Sequence, residues 1–304
     1  MTARVFIDGE VGTTGLQIRA RLGRRDDIAL ISLSEENRKS REARLAAFAE
    51  ADVAILCLPD AAVHDIAPDL RELPCRVIDA STAHRTDPEW VFGFPELDAE
   101  ARGKIAAAKR VSNPGCYSTG AIALLKPLID AGMIAADHPV TINALSGYSG
   151  GGKAMIAEFE SGAVSGGFVY ATSQRHKHLP EIVAHADLTR KPIFVPQVGA
   201  FAQGMIVQVP LHLDPGSPER ALATLRAHYA GQRFVQVVDR AALGDRIDPQ
   251  RLNGTNMMEL TVDGDAETGA TVLIAVLDNL GKGASGAAVQ SLNILLGIDE
   301  ATGL

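Results

Sequence analysis

Cysteine is scarce in this chain, and its scarcity excludes two kinds of protein. The 304 residues include three cysteines, Cys57, Cys75 and Cys116, which form neither a CxxC pair nor a Cys/His spacing typical of zinc sites. An odd, sparse set argues against a disulfide framework. We therefore expect no disulfide scaffold and no metal.

Basic tracts and long apolar runs are also lacking. The formal net charge is −8 and no stretch is strongly basic, so we expect no nucleic-acid partner. No run of 18 apolar residues exists, and the first residues lack the basic and apolar regions of a secretory signal. We expect no membrane partner and a cytoplasmic location. The length and the 46% apolar content suit an ordinary globular protein of two domains.

The first 115 residues alternate short apolar runs with helical patterns. Strand-like runs occupy residues 3–8, 28–33, 52–59, 75–81 and 109–115. This alternation indicates right-handed βαβ units and predicts an α/β fold with a Rossmann-type parallel sheet. After Cys116 a helix is predicted over 117–134, followed by longer strand-like segments mostly without helices between them. That part predicts an α+β domain with a mixed or antiparallel sheet.

A glycine-rich loop follows the first predicted strand. Gly9, Gly12 and Gly15 recur at three-residue intervals, and Thr13 and Thr14 add hydroxyl donors. Glycines let the backbone turn tightly and approach a pyrophosphate at the N-terminus of the next helix. The pattern G-x-x-G-x-x-G is looser than G-x-G-x-x-G, and a plain strand-to-helix turn is the alternative. The βαβ context favours a dinucleotide site.

The end of the second predicted strand bears on the choice of cofactor. In "SLSEENRK", Ser34, Arg38 and Lys39 could hold a 2′-phosphate, whereas Glu35 and Glu36 could bind a ribose diol. A solvated helix start explains any one of these residues equally well. Because no acid stands at the very end of the strand, we predict NADP.

Cys116 stands between an Asn-Pro-Gly turn and a predicted helix. Unpaired N–H groups and the dipole at a helix N-terminus favour an anion, so we expect a lowered thiol pKa and a nucleophile. Cys57 and Cys75, in or beside strands, read as core thiols. A base is available in "RHKHLPEI", where His176 and His178 alternate. A polar loop is the alternative reading of that segment.

Several motifs together carry a family resemblance over nearly the whole chain. They are the glycine loop, "VIDASTAHR", "FGFPEL", "SNPGCY", "LSGYSGGGK", "RHKHLPEI" and "LDNLGKGASGAAVQSLN". The chain resembles the N-acetyl-γ-glutamyl-phosphate reductases, in their shorter branch, which are related to aspartate-semialdehyde dehydrogenase. It departs from that family at Ser118, where proline is common, and at Lys177, where arginine is common. Lysine keeps the charge but loses the planar fork that binds a carboxylate.

The resemblance implies NADPH-dependent reduction of an acyl phosphate to an aldehyde through a thioester at Cys116, in arginine biosynthesis. It implies His178 as the acid/base, by a modest margin over His176, with Glu181 as its orienting partner. It also implies an arginine for the departing phosphate, further substrate contacts and an asparagine for the nicotinamide carboxamide. These residues are Arg85 for phosphate, Asn113, Lys153 and His176 for substrate, and Asn279 for the carboxamide.

The resemblance also sets the expected domains and leaves alternatives open. Residues 1–115, completed by the C-terminal helix at 281–304, would form the dinucleotide-binding domain, and 116–280 the catalytic and oligomerisation domain. Apolar strands in the latter favour a homo-oligomer, a dimer or a tetramer. The same chemistry on an aspartyl or aminoadipyl phosphate is the nearest alternative. A cysteine hydrolase or acyltransferase without NADP, and a non-catalytic dinucleotide sensor, are further ones.

Overall fold

The computed structural model describes residues 2–304, which divide into two compact units. The first unit comprises the chain up to Pro95, Ala99–Gly115 and Ala284–Leu304. The second comprises Glu96–Asp98 and Cys116–Gly283. The C-terminal segment therefore folds with the N-terminal one.

A six-stranded parallel sheet forms the centre of the first unit. Its strands are β1 Ala3–Asp8, β2 Ile28–Ile31, β3 Val53–Leu56, β4 Arg76–Asp79, β5 Val91–Phe92 and β6 Arg110–Ser112, in the order β2-β1-β3-β4-β6-β5. Each neighbouring pair is parallel. The predicted α/β class is thus confirmed. The two-residue strand β5 was not predicted, because it is too short to show a pattern.

Helices cover both faces of this sheet. They are α1 Thr13–Leu22, α2 Arg41–Glu50, α3 Asp60–Glu72, α4 Ala101–Ala107 and, near the end of the chain, α9 Gly286–Leu296. One apolar cluster joins the sheet to α1 and α9, through Ile18 and Val289 among others. A second joins the opposite face to α2 and α3, through Phe48 and Ile66. All four residues of β3 are buried, as expected for a parallel strand covered on both sides.

A seven-stranded mixed sheet forms the centre of the second unit. Its strands are β7 Thr141–Gly147, β8 Phe168–Val169, β9 Ile193–Gly199, β10 Met205–His212, β11 Val235–Val237, β12 Met258–Asp265 and β13 Ala270–Leu277, in the order β11-β12-β13-β10-β7-β9-β8. The pairs β7/β9 and β11/β12 are parallel and the others antiparallel. The prediction of a mixed sheet is confirmed.

Four α-helices belong with these strands. The helices are α5 Cys116–Asp130, α6 Gly152–Glu160, α7 Leu179–His185 and α8 Ser217–His228. The expectation that helices would mostly not separate the strands was wrong: α6, α7 and α8 intervene, and the first two are too short for their periodicity to stand out. The predicted helix 282–298 is in fact a π-helix, Gly281–Ser285, that continues into α9.

The central helix α5 packs closely against the mixed sheet. A Cβ at Gly120 would lie 2.8 Å from the side chain of Val207 on β10, so glycine permits the close approach. Residues 117–125 of α5 are all buried. The first residue of α5, Cys116, is therefore held by a rigid scaffold. Within residues 2–304, no helix has both the length and the apolar character needed to cross a bilayer.

Candidate active site

The glycine loop between β1 and α1 is shaped by close backbone contacts. Gly9 has φ +90°, and a Cβ there would lie 2.5 Å from the carbonyl oxygen of Cys57. A Cβ at Gly15 would lie 2.5 Å from the carbonyl oxygen of Gly9. Gly12 precedes α1, and the predicted residues Thr13 and Thr14 open that helix. The glycines therefore let the loop pack closely between β1 and α1, and the first N–H groups of α1 lie at its end.

A cavity of about 550 Å³ lies beside this loop within the first unit. Acidic and basic side chains that line it include Asp8, Glu10, Glu35, Arg38, Lys39 and Arg44. Nε of Arg38 is buried and has no hydrogen-bond partner within residues 2–304. An orphaned guanidinium donor in a cavity wall suits a phosphate. Ser34 is exposed and does not line the cavity, although its carbonyl oxygen accepts the Arg38 backbone N–H at 3.0 Å.

A buried ion pair in the same cavity wall was not predicted. Asp8, 3% exposed, accepts a hydrogen bond from Nη2 of Arg44 at 2.7 Å. Burial raises the pKa of the Asp8 carboxyl, and the neighbouring Arg44 offsets only part of that shift. The position of Asp8 at the carboxyl end of β1 was the available signal, because ligands bind at that edge of a parallel sheet.

Arg85 and Asn113 are brought together in the first unit. Nε of Arg85 donates to the backbone oxygen of Asn113 at 2.9 Å. The Asn113 backbone N–H donates to the backbone carbonyl oxygen of Asp79 at 2.7 Å, and its Nδ2 donates to the Ala284 carbonyl at 3.0 Å. Oδ1 of Asn113 is buried and has no partner among the described residues. It is an acceptor that a ligand could satisfy.

The segment before Arg85 is fixed by a buried carboxylate that was also not predicted. Asp79, wholly buried, accepts hydrogen bonds from Oγ of Ser81 at 2.8 Å and from Nδ1 of His84 at 2.7 Å. The His84 ring stacks on Trp90 with centroids 4.0 Å apart. The motif "DAST" thus forms a turn around its own carboxylate and presents Arg85.

Cys116 lies in the first turn of α5, as predicted, although the helix spans Cys116–Asp130 and not the predicted 117–134. Cys116 is half-buried, and a Cβ added at Gly283 would lie 2.8 Å from the Cβ of Cys116. Gly283 belongs to the π-helix, whose Lys282 forms a fully buried ion pair with Glu96. The N-terminus of α5 favours a thiolate at this position. π-Helical turns occur frequently at functional sites.

The other two cysteines have a different environment. Burial, and then the charges of Asp79 and Asp8, raise the pKa of the Cys57 thiol to about 12. Burial also raises the pKa of the Cys75 thiol. None of the three cysteines, all within the described residues, forms a disulfide. The chemistry of a reactive thiol therefore points to Cys116.

The histidine pair lies beside the helix that Cys116 opens. The ring of Tyr117, the next residue after Cys116, has its centroid 5.8 Å from those of both His176 and His178. His178 is 5% exposed, and its Nε2 lies 3.9 Å from Oε1 of the buried Glu181. That distance suits an ion pair but exceeds a hydrogen bond. Tyr117 was not among the predicted residues.

Lys153 and Asn279 complete the set of predicted residues. Lys153 is exposed near the start of α6. Asn279 is 1% exposed; its Oδ1 accepts the Gly204 backbone N–H at 2.8 Å and its Nδ2 donates to Oγ of Ser149 at 3.0 Å. Both ends of this amide thus hold together loops of the second unit. Its role toward a nicotinamide carboxamide stays a prediction.

Family models match both units of the chain. Residues 11–105 match "Semialdehyde dehydrogenase, NAD binding domain", and residues 116–279 match "Semialdehyde dehydrogenase, dimerisation domain". Among solved structures, aspartate semialdehyde dehydrogenase II from Vibrio cholerae aligns with a TM-score of 0.77 at 18% identity, over 98% of this chain and 99% of that one. The enzyme from Francisella tularensis aligns with a TM-score of 0.73 at 14% identity, over 97% and 100%. The fold and the family models define a semialdehyde dehydrogenase-type protein.

Curated relatives show which family of semialdehyde dehydrogenase-type proteins the chain resembles. Proteins from Brucella ovis and Brucella suis, each named N-acetyl-γ-glutamyl-phosphate reductase, are 50% identical over 309 residues, covering 98% of this chain and 100% of theirs. The chain belongs to the N-acetyl-γ-glutamyl-phosphate reductase family, and the resemblance drawn from its motifs is confirmed.

Proposed function

We propose that the chain reduces N-acetyl-γ-glutamyl phosphate to N-acetylglutamate 5-semialdehyde and inorganic phosphate with NADPH, a step of arginine biosynthesis. The observation that carries this proposal is the position of Cys116, which opens α5 beside the half-buried His176 and the buried His178 in a chain of this family. A thiol there can attack an acyl carbon, and a neighbouring imidazole can handle a proton.

The first unit suits NADP. Gly9 and Gly15 let the backbone of the loop pack closely on its neighbours, so that a pyrophosphate would bind at the N-terminus of α1 after Gly12, where Thr13 and Thr14 add donors. Arg38 offers its buried Nε to a 2′-phosphate, with Ser34 nearby in sequence. When bound, NADPH supplies the hydride.

Cys116 performs the bond-making steps on the substrate. Its thiolate attacks the acyl carbon, the C–O bond to the phosphoryl group breaks, and phosphate leaves with that electron pair. The resulting thioester is reduced to a hemithioacetal. The C–S bond then breaks, releasing the aldehyde and restoring the thiolate. A thiolate serves both as strong nucleophile and as good leaving group.

Other residues bind and move protons. We assign His178 to the acid/base role, protonating the hemithioacetal oxygen and accepting that proton as the aldehyde forms, with Glu181 as its charge partner at 3.9 Å. Arg85 would receive the phosphate, because a guanidinium matches phosphate oxygens. Oδ1 of Asn113 would accept a hydrogen bond from substrate, and Lys153 would attract an anionic group.

We assign a different function to each of the two units. The first unit would bind the dinucleotide, completed by α9, which packs on its sheet. The second unit would carry the nucleophile and form a homo-oligomer, in line with the description of the family model that matches it. A dimer or tetramer should appear in light scattering.

The proposal is tested by following NADPH absorbance with N-acetyl-γ-glutamyl phosphate and, separately, with aspartyl phosphate as substrate. The acetylated substrate should be reduced and aspartyl phosphate should not. Cys116→Ala should abolish turnover while leaving NADPH affinity at the wild-type value, since the glycine loop lies elsewhere. Preference for aspartyl phosphate would change the assigned substrate, and wild-type turnover by Cys116→Ala would remove the nucleophile.

A further inference from the structure

The segment between β8 and α7 has an unusual backbone. We call residues 170–178 the histidine loop, because it contains His176 and His178. Ala171 and Gln174 have φ values of 50° and 60°, and they are two of three non-glycine residues with positive φ among residues 2–304. Such conformations persist only where the surroundings enforce them, and they cluster at functional sites. The loop is therefore held in place by specific contacts.

The side chain of Gln174 forms hydrogen bonds with β9 like those that a neighbouring strand would form. Its Oε1 accepts the Phe194 backbone N–H at 2.8 Å, and its Nε2 donates to the Phe194 carbonyl at 2.9 Å. Phe194 lies on β9, which β8 pairs just before the loop begins. The side-chain amide thus continues the pairing with β9 after the backbone has turned away. It fastens the middle of the histidine loop to the sheet.

The ring of His176 is engaged at both nitrogens. Nδ1 accepts the backbone N–H of His178 at 3.1 Å, and Nε2 lies 3.2 Å from the hydroxyl of Tyr170. An accepting Nδ1 carries no proton, so the neutral ring is protonated at Nε2 and donates to the Tyr170 oxygen. The ring thereby joins the first residue of the loop to the last one.

The same strand also holds the helix that starts with Cys116. The Tyr117 hydroxyl donates to the Gln197 carbonyl on β9 at 2.9 Å. The rings of Tyr117 and His176 both pack on Phe194, with centroids 5.4 Å and 5.1 Å away. β9 is thus a common support for the nucleophile and for the histidine loop.

We propose that Gln174 and His176 are positioning residues: Gln174 fastens the histidine loop to β9, and His176 orients His178 through its backbone amide instead of binding substrate. This inference rests on the proposed function, in which His178 is the acid/base. It replaces the substrate contact that the sequence predicted for His176. A positioning residue affects the rate through the placement of a catalytic group, and misplacement by about 1 Å can cost about a hundredfold.

Two substitutions of His176 separate the possible roles. In His176→Asn, Oδ1 can still accept the His178 N–H, whereas His176→Phe keeps the ring and loses the acceptor. We expect His176→Phe to lower kcat by about ten- to a hundredfold with KM unchanged, and His176→Asn to recover most of that loss. Equal loss of kcat in both variants would make His176 the acid/base, and a raised KM in both would make it a substrate contact. Either result would overturn the proposal.

Substitutions of Gln174 test the attachment to β9. Gln174→Gly and Gln174→Ala both remove the amide, but only glycine adopts φ +60° without strain. Both should lower kcat without changing KM, with alanine the more impaired. Asp187→Gly is the matched control, because Asp187 has φ 55° at an exposed position outside the loop and should keep wild-type kinetics. Wild-type kcat in Gln174→Gly would refute a role for the amide contacts.

A spectroscopic measurement keeps this inference separate from the reaction assigned to the protein. In ¹⁵N-histidine-labelled wild-type protein, we expect the NMR shifts of His176 to show the neutral ring with its proton on Nε2 and an accepting Nδ1. A proton on Nδ1 would overturn the orienting role whatever the substrate. If the wild type does not reduce the acyl phosphate, the proposed function fails, and the NMR result still decides the hydrogen bonds of His176.

Discussion

The buried ion pair between Lys282 and Glu96 gives a prediction about stability. Nζ of Lys282 lies 2.9 and 2.8 Å from the two carboxylate oxygens of Glu96, and the side chains are 1% and 0% exposed. Replacing one partner leaves the other charge buried without its counterion. Lys282→Met and Glu96→Leu should therefore each lower the free energy of unfolding by about 3–5 kcal/mol.

The double variant Lys282→Met/Glu96→Leu completes the thermodynamic cycle. It removes both charges and places apolar groups beside the Phe234 ring, whose centroid lies 5.7 Å from Nζ in the wild type. Since apolar replacement of a whole buried pair is often neutral, the double variant should be within about 1 kcal/mol of the wild type. Urea unfolding followed by circular dichroism measures all four proteins. Single variants as stable as the wild type, or a double variant that loses the sum of both, would refute the reasoning.

The same four proteins should also differ in the reactivity of Cys116, the candidate nucleophile. Lys282 precedes Gly283, whose backbone packs against Cys116. Displacing the π-helix should change the packing at the start of α5. The rate of Cys116 alkylation should therefore differ from wild type in both single variants and return toward it in the double variant.

Three further outcomes follow from the charges and the burial of other residues. Iodoacetamide at neutral pH should label Cys116 and not Cys57, whose pKa burial raises to about 12; peptide mass spectrometry that finds Cys57 labelled first would contradict this. Arg38→Glu should weaken NADPH binding by about ten- to a hundredfold and NADH binding far less, and equal losses in fluorescence titrations would place Arg38 away from the 2′-phosphate. Burial raises the pKa of Asp8 in the folded state above the ordinary value of 3.8, despite Arg44. The contribution of Asp8 to the free energy of unfolding is therefore largest below pH 3.8, and it falls as the pH rises from 3.8 through the folded-state pKa. Asp8→Asn should remove this slope in urea unfolding across a pH series, and an unchanged slope would contradict it.

The sequence predicted those helices and strands that are identified by a pattern of neighbouring residues. β1 was predicted over residues 3–8 and runs Ala3–Asp8, because a β-branched run ends there at glycine. The helix after the Asn-Pro-Gly turn begins at Cys116 because proline and glycine define the turn before it. The motifs also predicted the family and the fold class, both of which are confirmed.

Contacts between residues distant in sequence could not be predicted. Lys282 and Glu96 are 186 residues apart, and Asp8 and Arg44 are 36 apart. A charged residue shows no local pattern that identifies its buried partner. The attachment of Gln174 to β9 is of the same kind, because it depends on how a loop folds back on a strand. The two-residue strands β5 and β8 are too short to show alternation.

The assignment as an acyl-phosphate reductase is tested most directly in the oxidative direction. Enzyme, NADP⁺ and N-acetylglutamate 5-semialdehyde are mixed with and without inorganic phosphate, and NADPH absorbance is followed. A thioester at Cys116 that phosphate must cleave predicts steady turnover with phosphate or arsenate. Without them, at most about one equivalent of NADPH per site should form as the thioester accumulates. Sustained turnover in phosphate-free buffer would show that water is the acceptor and would contradict the account.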